Sequence, residues 1–279
     1  MRAKRRAAGS SPAARLAAEV VRAARRTGAA RALFLDLDGT LAPIVRIPES
    51  AAVPASALHA IRDLTAAGWR ITIVSGRPLR HARKMAPVEG IAVFGSHGLE
   101  SGRGGPVLRT EETSAAIRKL KALAGPAARL VAGFEGAMLE TKPAGVAFHD
   151  RRIPPRLLSA WRRGLREFLR ARDLSGVELL RGKRVLELRP AGIGKGSVVR
   201  ALMPQGAGGR PDASLVAMGD DTTDEEMFEA LAGRGLGVRV GRPKQTTLAS
   251  RRLASPAAVA EFLERIAGAT AGSEHLNSR

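Results

Sequence analysis

Four times along the chain, a short apolar run ends in small or charged residues and passes at once into a loop or a helical stretch. "ALFLD" (32–36) leads into Asp-Gly-Thr, and "WRITIVSGR" (69–77) leaves through Ser75, Gly76 and Arg77 toward a helix opening at Pro78. "IAVFGSHG" (91–98) has a small-residue exit, and "SLVAMGDDTTDEEMFEAL" (214–231) joins a strand to an acidic loop and a helix. "GLGVRV" reads as a last strand and "SPAAVAEFLERIA" as a closing helix capped by Ser255. A helix over residues 55–67, ended at Gly68, lies between two of these strands. Strands alternating with helices predict an α/β core, a mainly parallel sheet with helices on both faces. Ligands bind such sheets beyond the carboxyl ends of the strands, where these polar residues fall.

Between about Leu108 and Glu187 the pattern changes. "EETSAAIRKLKALAG" reads as a helix, "ARLVAGFEGAMLETKPAGVAFHD" as strands with turns, and "PPRLLSAWRRGLREFLRAR" as a second helix. "VELLRGKRVLELRP" reads as a hairpin turned at Gly182-Lys183. This is an α+β block inserted into the α/β core. The expected division is a basic N-terminal tail over 1–30 with a short amphipathic helix from Ser11, and a discontinuous core over 31–107 and 188–268. The inserted domain spans 108–187, and 269–279 form a C-terminal tail. "PQGAGGRP" reads as a surface loop, since it lacks the Lys-Ser/Thr ending of a phosphate cradle.

The net charge of +20 raises the possibility of a polyanion partner. Residues 1–31 hold nine Lys/Arg against one acid, and residues 108–188 hold seventeen against nine, so the charge is spread along the chain. With no zinc-finger spacing or aromatic RNA-binding run, no specific nucleic-acid partner is expected. No apolar run approaches the roughly 20 residues of a membrane span, and the basic start lacks the apolar core of a secretory signal. The absence of Cys excludes disulfides and thiolate metal sites and fits a reducing, cytoplasmic setting.

Chemistry concentrates at the strand ends. Asp36 and Asp38 follow one apolar strand, and Asp220, Asp221 and Asp224 follow another. Carboxylates that repel one another become favourable together around a hard divalent cation such as Mg²⁺. Ser75 offers a hydroxyl and Gly76 a backbone N–H to phosphate oxygens, and Lys195 in "GIGKGSVV" offers a positive charge. His97 reads as a loop cap.

In this order, "DLDGT", "SGR", "GKG" and "GDDTTD" resemble the four motifs of the haloacid-dehalogenase-like (HAD) phosphohydrolases. The resemblance implies a Rossmann-like HAD core with an inserted C2-type cap. It also implies Asp36 as nucleophile, Asp38 as general acid/base, and Ser75, Gly76 and Lys195 on the phosphate. Mg²⁺ would be held by Asp36, Asp220 and the Asp38 carbonyl, with Asp221 and Asp224 in support. "LETKPAGVAFHDR", "GKRVLELRP" and "GSHGLE" add a closer likeness, over about 31–268, to trehalose-6-phosphate phosphatases. That likeness implies trehalose 6-phosphate as substrate, sugar contacts from Glu140, Lys142, Arg151 and Glu187, and a functional link to a trehalose-phosphate synthase. Other sugar-phosphate phosphatases of the same core, of sucrose-phosphate or mannosyl-glycerate type, are the nearest alternative; a basic polyanion-binding protein is a more distant one. One departure from the likeness is Asp150, where the family often carries Tyr between His and Arg.

Overall fold

The computed structural model describes residues 11–26, 29–102, 110–182, 184–203, 212–242 and 246–274. The basic cluster 1–10, the Gly-rich segment 204–211 and Lys183 of the expected turn lie outside the described residues. The chain divides into two compact units, Met1–Pro106 with Gly194–Arg279, and Val107–Ile193.

The first unit opens with α1 (Pro12–Ala24), whose start is fixed by Ser11. The Ser11 Oγ accepts from the Ala14 N–H at 3.0 Å and donates to Glu261 at 2.6 Å. Then come β1 (Ala32–Leu35), α2 (Ala55–Ala66), β2 (Arg70–Val74), α3 (Leu79–Met85), β3 (Ala92–Gly95) and the two-residue β4 (Glu100–Ser101). After the second unit the chain returns through α6 (Lys195–Leu202), β9 (Leu215–Gly219), α7 (Glu225–Ala230), β10 (Leu236–Val240), β11 (Arg251–Leu253) and α8 (Pro256–Glu274).

These strands form one sheet in the order β11-β10-β9-β1-β2-β3-β4, parallel throughout except for β4 against β3. Leu33 and Leu35 join a core with Leu16 and Val20 of α1, Ile61 and Leu64 of α2, and Phe262, Leu263 and Ile266 of α8. Phe34, between them, is buried as well. Burial on both faces is why β1 reads as an unbroken apolar run and not as alternation. The chain order reverses at β1, which lies between β9 and β2, with Leu35 level with both Met218 and Ile73. The residues that follow these three strands therefore emerge side by side at a topological switch point.

In the second unit, α4 (Glu111–Ala132) and α5 (Leu158–Arg170) accompany a four-stranded antiparallel sheet. Its strands β5 (Met138–Lys142), β6 (Gly145–His149), β7 (Val177–Gly182) and β8 (Val185–Pro190) lie in the order β5-β6-β8-β7. Val146, Phe148, Leu186 and Leu188 share a core with Leu120 and Leu123 of α4 and Trp161 and Leu165 of α5.

Three expectations are corrected. The helix beginning at Glu111 does not stop at Gly125, and "ARLVA" is its last stretch, not a strand. Pro126 removes a helical N–H, but Leu120, Leu123 and Ala127 around it are buried in one core, and that packing outweighs the local break. "GLGVRV" is not the last strand, because β11 adds to the sheet beyond it. Pro78 is the cap of α3 and not its first residue. No helix among the described residues is long and apolar enough to cross a membrane.

Candidate active site

The Asp36 N–H donates to the Met218 carbonyl at 3.1 Å, extending the β1–β9 pairing by one residue. The chain then coils: the Leu37 carbonyl accepts from the N–H groups of Thr40, Leu41 and Ala42 at 3.3, 2.9 and 2.8 Å. Gly39 sits in the left-handed region at φ +82°, and a Cβ there would lie 2.2 Å from the Asp220 carboxylate. Glycine is required at 39 for the turn and for this approach.

At the end of β9, Asp224 is fully buried. Its Oδ2 accepts from the N–H groups of Asp220 and Asp221, both at 2.9 Å, and its Oδ1 accepts from Lys195 Nζ at 2.6 Å. Lys195 Nζ also donates to Asp36 Oδ1 at 2.6 Å. A Cβ on Gly219 would come within 2.2 Å of Asp224, so the bare backbone at 219 lets the loop fold back. Carboxylate oxygens of Asp36, Asp220 and Asp224 lie within 4.8 Å of one another. Asp221 is apart from this group: it is exposed, its Oδ1 accepts from the Thr222 N–H at 2.7 Å, and its carbonyl accepts from Arg239 at 2.8 Å.

Burial, followed by the Asp224 and Asp220 charges, raises the Asp36 pKa to about 8 although Lys195 opposes it. Burial and the neighbouring Asp224 and Asp221 raise Asp220 to about 6. Burial works against the Lys195 charge, but Asp36 and Asp224 outweigh it and its pKa is raised. Three carboxyl groups gather beside one ammonium, and hard oxygen donors of this kind suit Mg²⁺.

A pH dependence follows for protein kept free of divalent cations. The folded Asp36 holds its proton to higher pH than the unfolded chain, so the folded state loses stability as pH rises from the ordinary carboxyl value of 3.8 to about 8. The melting temperature should fall across that window, and Asp36→Asn should flatten the fall. A wild-type profile parallel to that of the variant contradicts this.

Asp38 is placed differently. Both of its oxygens are taken by Arg77, with Nε at 2.5 Å and Nη2 at 2.6 Å, a bidentate ion pair. Arg77 stands in the "SGR" motif, and nothing in the sequence points to this partner. Its partner is 39 residues away, and only the alignment of β1 with β2 brings them together. Ser75 is buried, and its Oγ accepts from the Arg77 N–H at 3.1 Å.

In the second unit, Glu140 on β5 lies opposite Ala147 on β6, which lies opposite Glu187 on β8. Lys142 is two residues from Glu140, on the same side of the strand, and donates to Glu187 at 2.6 Å. His149 Nε2 lies 2.9 Å from Glu140. These polar groups share their sheet face with Met138 and Ala147, whereas Val146, Phe148, Leu186 and Leu188, at the alternate positions, belong to the core. Arg151 is exposed in the turn after β6, and Asp150 pairs with Arg184 at 2.7 Å.

The trehalose-phosphatase family model matches residues 34–260. The chain is 32% identical over 266 residues to trehalose-phosphate phosphatase B of Arabidopsis thaliana, covering 89% of this chain and 68% of that protein. It spans only 18% of the length of two other curated relatives, to which it is 34% identical. Among solved structures, trehalose-6-phosphate phosphatase of Aspergillus fumigatus superposes with a TM-score of 0.69 at 27% identity, covering 90% of this chain and 97% of that one. A HAD-superfamily phosphatase of Bacteroides thetaiotaomicron has a similar fold, with a TM-score of 0.53 at 17% identity over 85% of this chain and 94% of that one.

Proposed function

The chain belongs to the trehalose-phosphatase family, and from that premise we propose that it hydrolyses trehalose 6-phosphate to trehalose and inorganic phosphate through an aspartyl-phosphate on Asp36. The observation that carries this reading is the buried Asp36, held by Lys195 beside Asp220 and Asp224 at the carboxyl end of β1.

Ser75 and the Gly76 N–H bind phosphate oxygens, and Lys195 offsets charge on the transferring group. The Asp36 carboxylate attacks phosphorus while the bond to the sugar oxygen breaks, and Asp38 delivers a proton to that leaving oxygen. Asp38, now ionised, takes a proton from water as the water attacks phosphorus; the acyl-phosphate bond breaks and Asp36 is restored. For either proton transfer one oxygen of Asp38 must leave Arg77. Asp36, Asp220 and the Asp38 carbonyl would hold Mg²⁺, with Asp224 anchoring the loop and Asp221 further out. When bound, the ion supplies charge neutralisation on the phosphoryl group.

Glu140, Lys142, Arg151 and Glu187 are assigned to the sugar, since donors and acceptors together suit hydroxyl groups. The chain would work in the cytoplasm, downstream of a trehalose-phosphate synthase activity.

A phosphate-release panel with Mg²⁺ tests the reading. Trehalose 6-phosphate should be preferred strongly over sucrose, glucose and mannosyl-glycerate phosphates, and chelation should stop turnover. Equal turnover across the panel would sink the substrate assignment. Within the panel, Lys142→Met should raise KM for trehalose 6-phosphate about tenfold, the scale of one charged hydrogen bond, with kcat changed less. An unaltered KM removes Lys142 from the sugar site.

A further inference from the structure

The "GSHGLE" segment has no part in the chemistry above, yet it holds the most unusual backbone in the first unit. Ser96, His97 and Gly98 take φ values of +48°, +58° and +105° in succession. Left-handed backbone at two consecutive non-glycine residues is unfavourable and persists only where its surroundings impose it. Here the surroundings are the Ser75–Arg77 loop. The Ser96 N–H donates to the Arg77 carbonyl at 2.8 Å, and the His97 N–H donates to the Ser75 carbonyl at 2.9 Å. Glu100 completes the attachment, accepting from the Ser96 hydroxyl at 2.9 Å and from the Leu79 N–H, just beyond the loop, at 2.8 Å. The fit is close from both sides. A Cβ on Gly76 would lie 2.8 Å from the His97 imidazole, and one on Gly95 would lie 2.3 Å from the Leu79 nitrogen.

We propose that the Ser96–Glu100 turn is a brace that sets the phosphate-binding loop, with His97 and Glu100 as positioning residues acting through Ser75, Gly76 and Arg77. These contacts reach the loop through its backbone or lie over the residue without a side chain. The brace thus fixes where the Ser75 hydroxyl and the Gly76 N–H point, and it supports the arm from which Arg77 reaches Asp38. The inference rests on the phosphatase reading, because it needs phosphate to bind at Ser75 and Gly76.

The test uses the full chain with Mg²⁺ and reads competitive inhibition by inorganic phosphate beside KM, kcat and melting temperature. Glu100→Ala should weaken phosphate inhibition about tenfold, and Glu100→Gln, which keeps one acceptor, should recover part of it. His97→Asn tolerates the left-handed backbone but removes the ring over Gly76, so it should stay folded while phosphate inhibition weakens and KM rises. If Glu100→Ala does not fold, His97→Asn decides alone. Phosphate inhibition and KM within twofold of wild type in the folded variants overturn the brace, as does a fall in kcat alone. A wild-type protein that hydrolyses no phosphomonoester overturns the phosphatase reading instead, which separates the two failures.

Discussion

Replacing Lys195 with methionine should destabilise the fold by about 3–5 kcal/mol, the scale for removing one partner of a buried ion pair, and should stop turnover. The Lys195 side chain is 4% exposed, and its two partners, Asp36 and Asp224, are 5% and 0% exposed. Without the ammonium, the buried Asp224 and Asp36 would lose the cation they share, with Asp220 close beside them. Asp224 also holds the backbone of Asp220 and Asp221, so leaving its buried charge without Lys195 would loosen the loop that presents Asp220. Urea unfolding without divalent cations measures the effect, and a midpoint equal to wild type contradicts it. Added Mg²⁺ should recover part of the lost stability.

Asp36→Asn should have the opposite balance. Turnover should fall by a factor on the order of 10⁴ or more, as expected for loss of a nucleophile. The protein should nevertheless fold, because the neutral amide removes a carboxyl whose charge burial opposes. Its carbonyl oxygen can still accept from Lys195. Steady-state phosphate release from trehalose 6-phosphate, with a melting curve on the same sample, separates the two effects. Substantial activity in the folded variant would remove Asp36 from the nucleophile's role. Together the two substitutions divide the cluster, since Lys195 serves both fold and chemistry whereas the Asp36 charge serves chemistry at some cost to the fold.

The sheet core was legible because its strands are buried on both faces and each ends in residues that a strand would not otherwise carry. "ALFLD", "RITIV" and "LVAMG" announce themselves by apolar runs cut short, and parallel pairing then places Asp36, Ser75 and Asp220 side by side. Short edge strands were not legible: β4 and β11, at two and three residues, are too brief for any periodicity. The course of α4 through Pro126 was hidden for another reason, since tertiary packing there overrides a local signal.

Within the site, three acids in five positions gave no sign of which would turn inward. The backbone decides that: Asp224 folds back under Gly219 to receive two N–H groups, and Asp221 is left outside capping Thr222. The grip of Arg77 on Asp38 was equally silent, because it joins two loops distant in sequence. His97 offered a weak signal as a lone polar residue between small ones. Its relation to Gly76 required the fold.

The nucleophile's role proposed for Asp36 means that it carries the phosphoryl group during turnover. Rapid quenching of the Mg²⁺-loaded protein with trehalose 6-phosphate, followed by borohydride reduction and peptide mapping, tests it directly. Reduction of an aspartyl-phosphate leaves homoserine. The expected result is homoserine at position 36 in the wild-type chain and none in Asp36→Asn. Turnover of the sugar phosphate with position 36 unmodified, or with homoserine at another aspartate instead, would contradict that role.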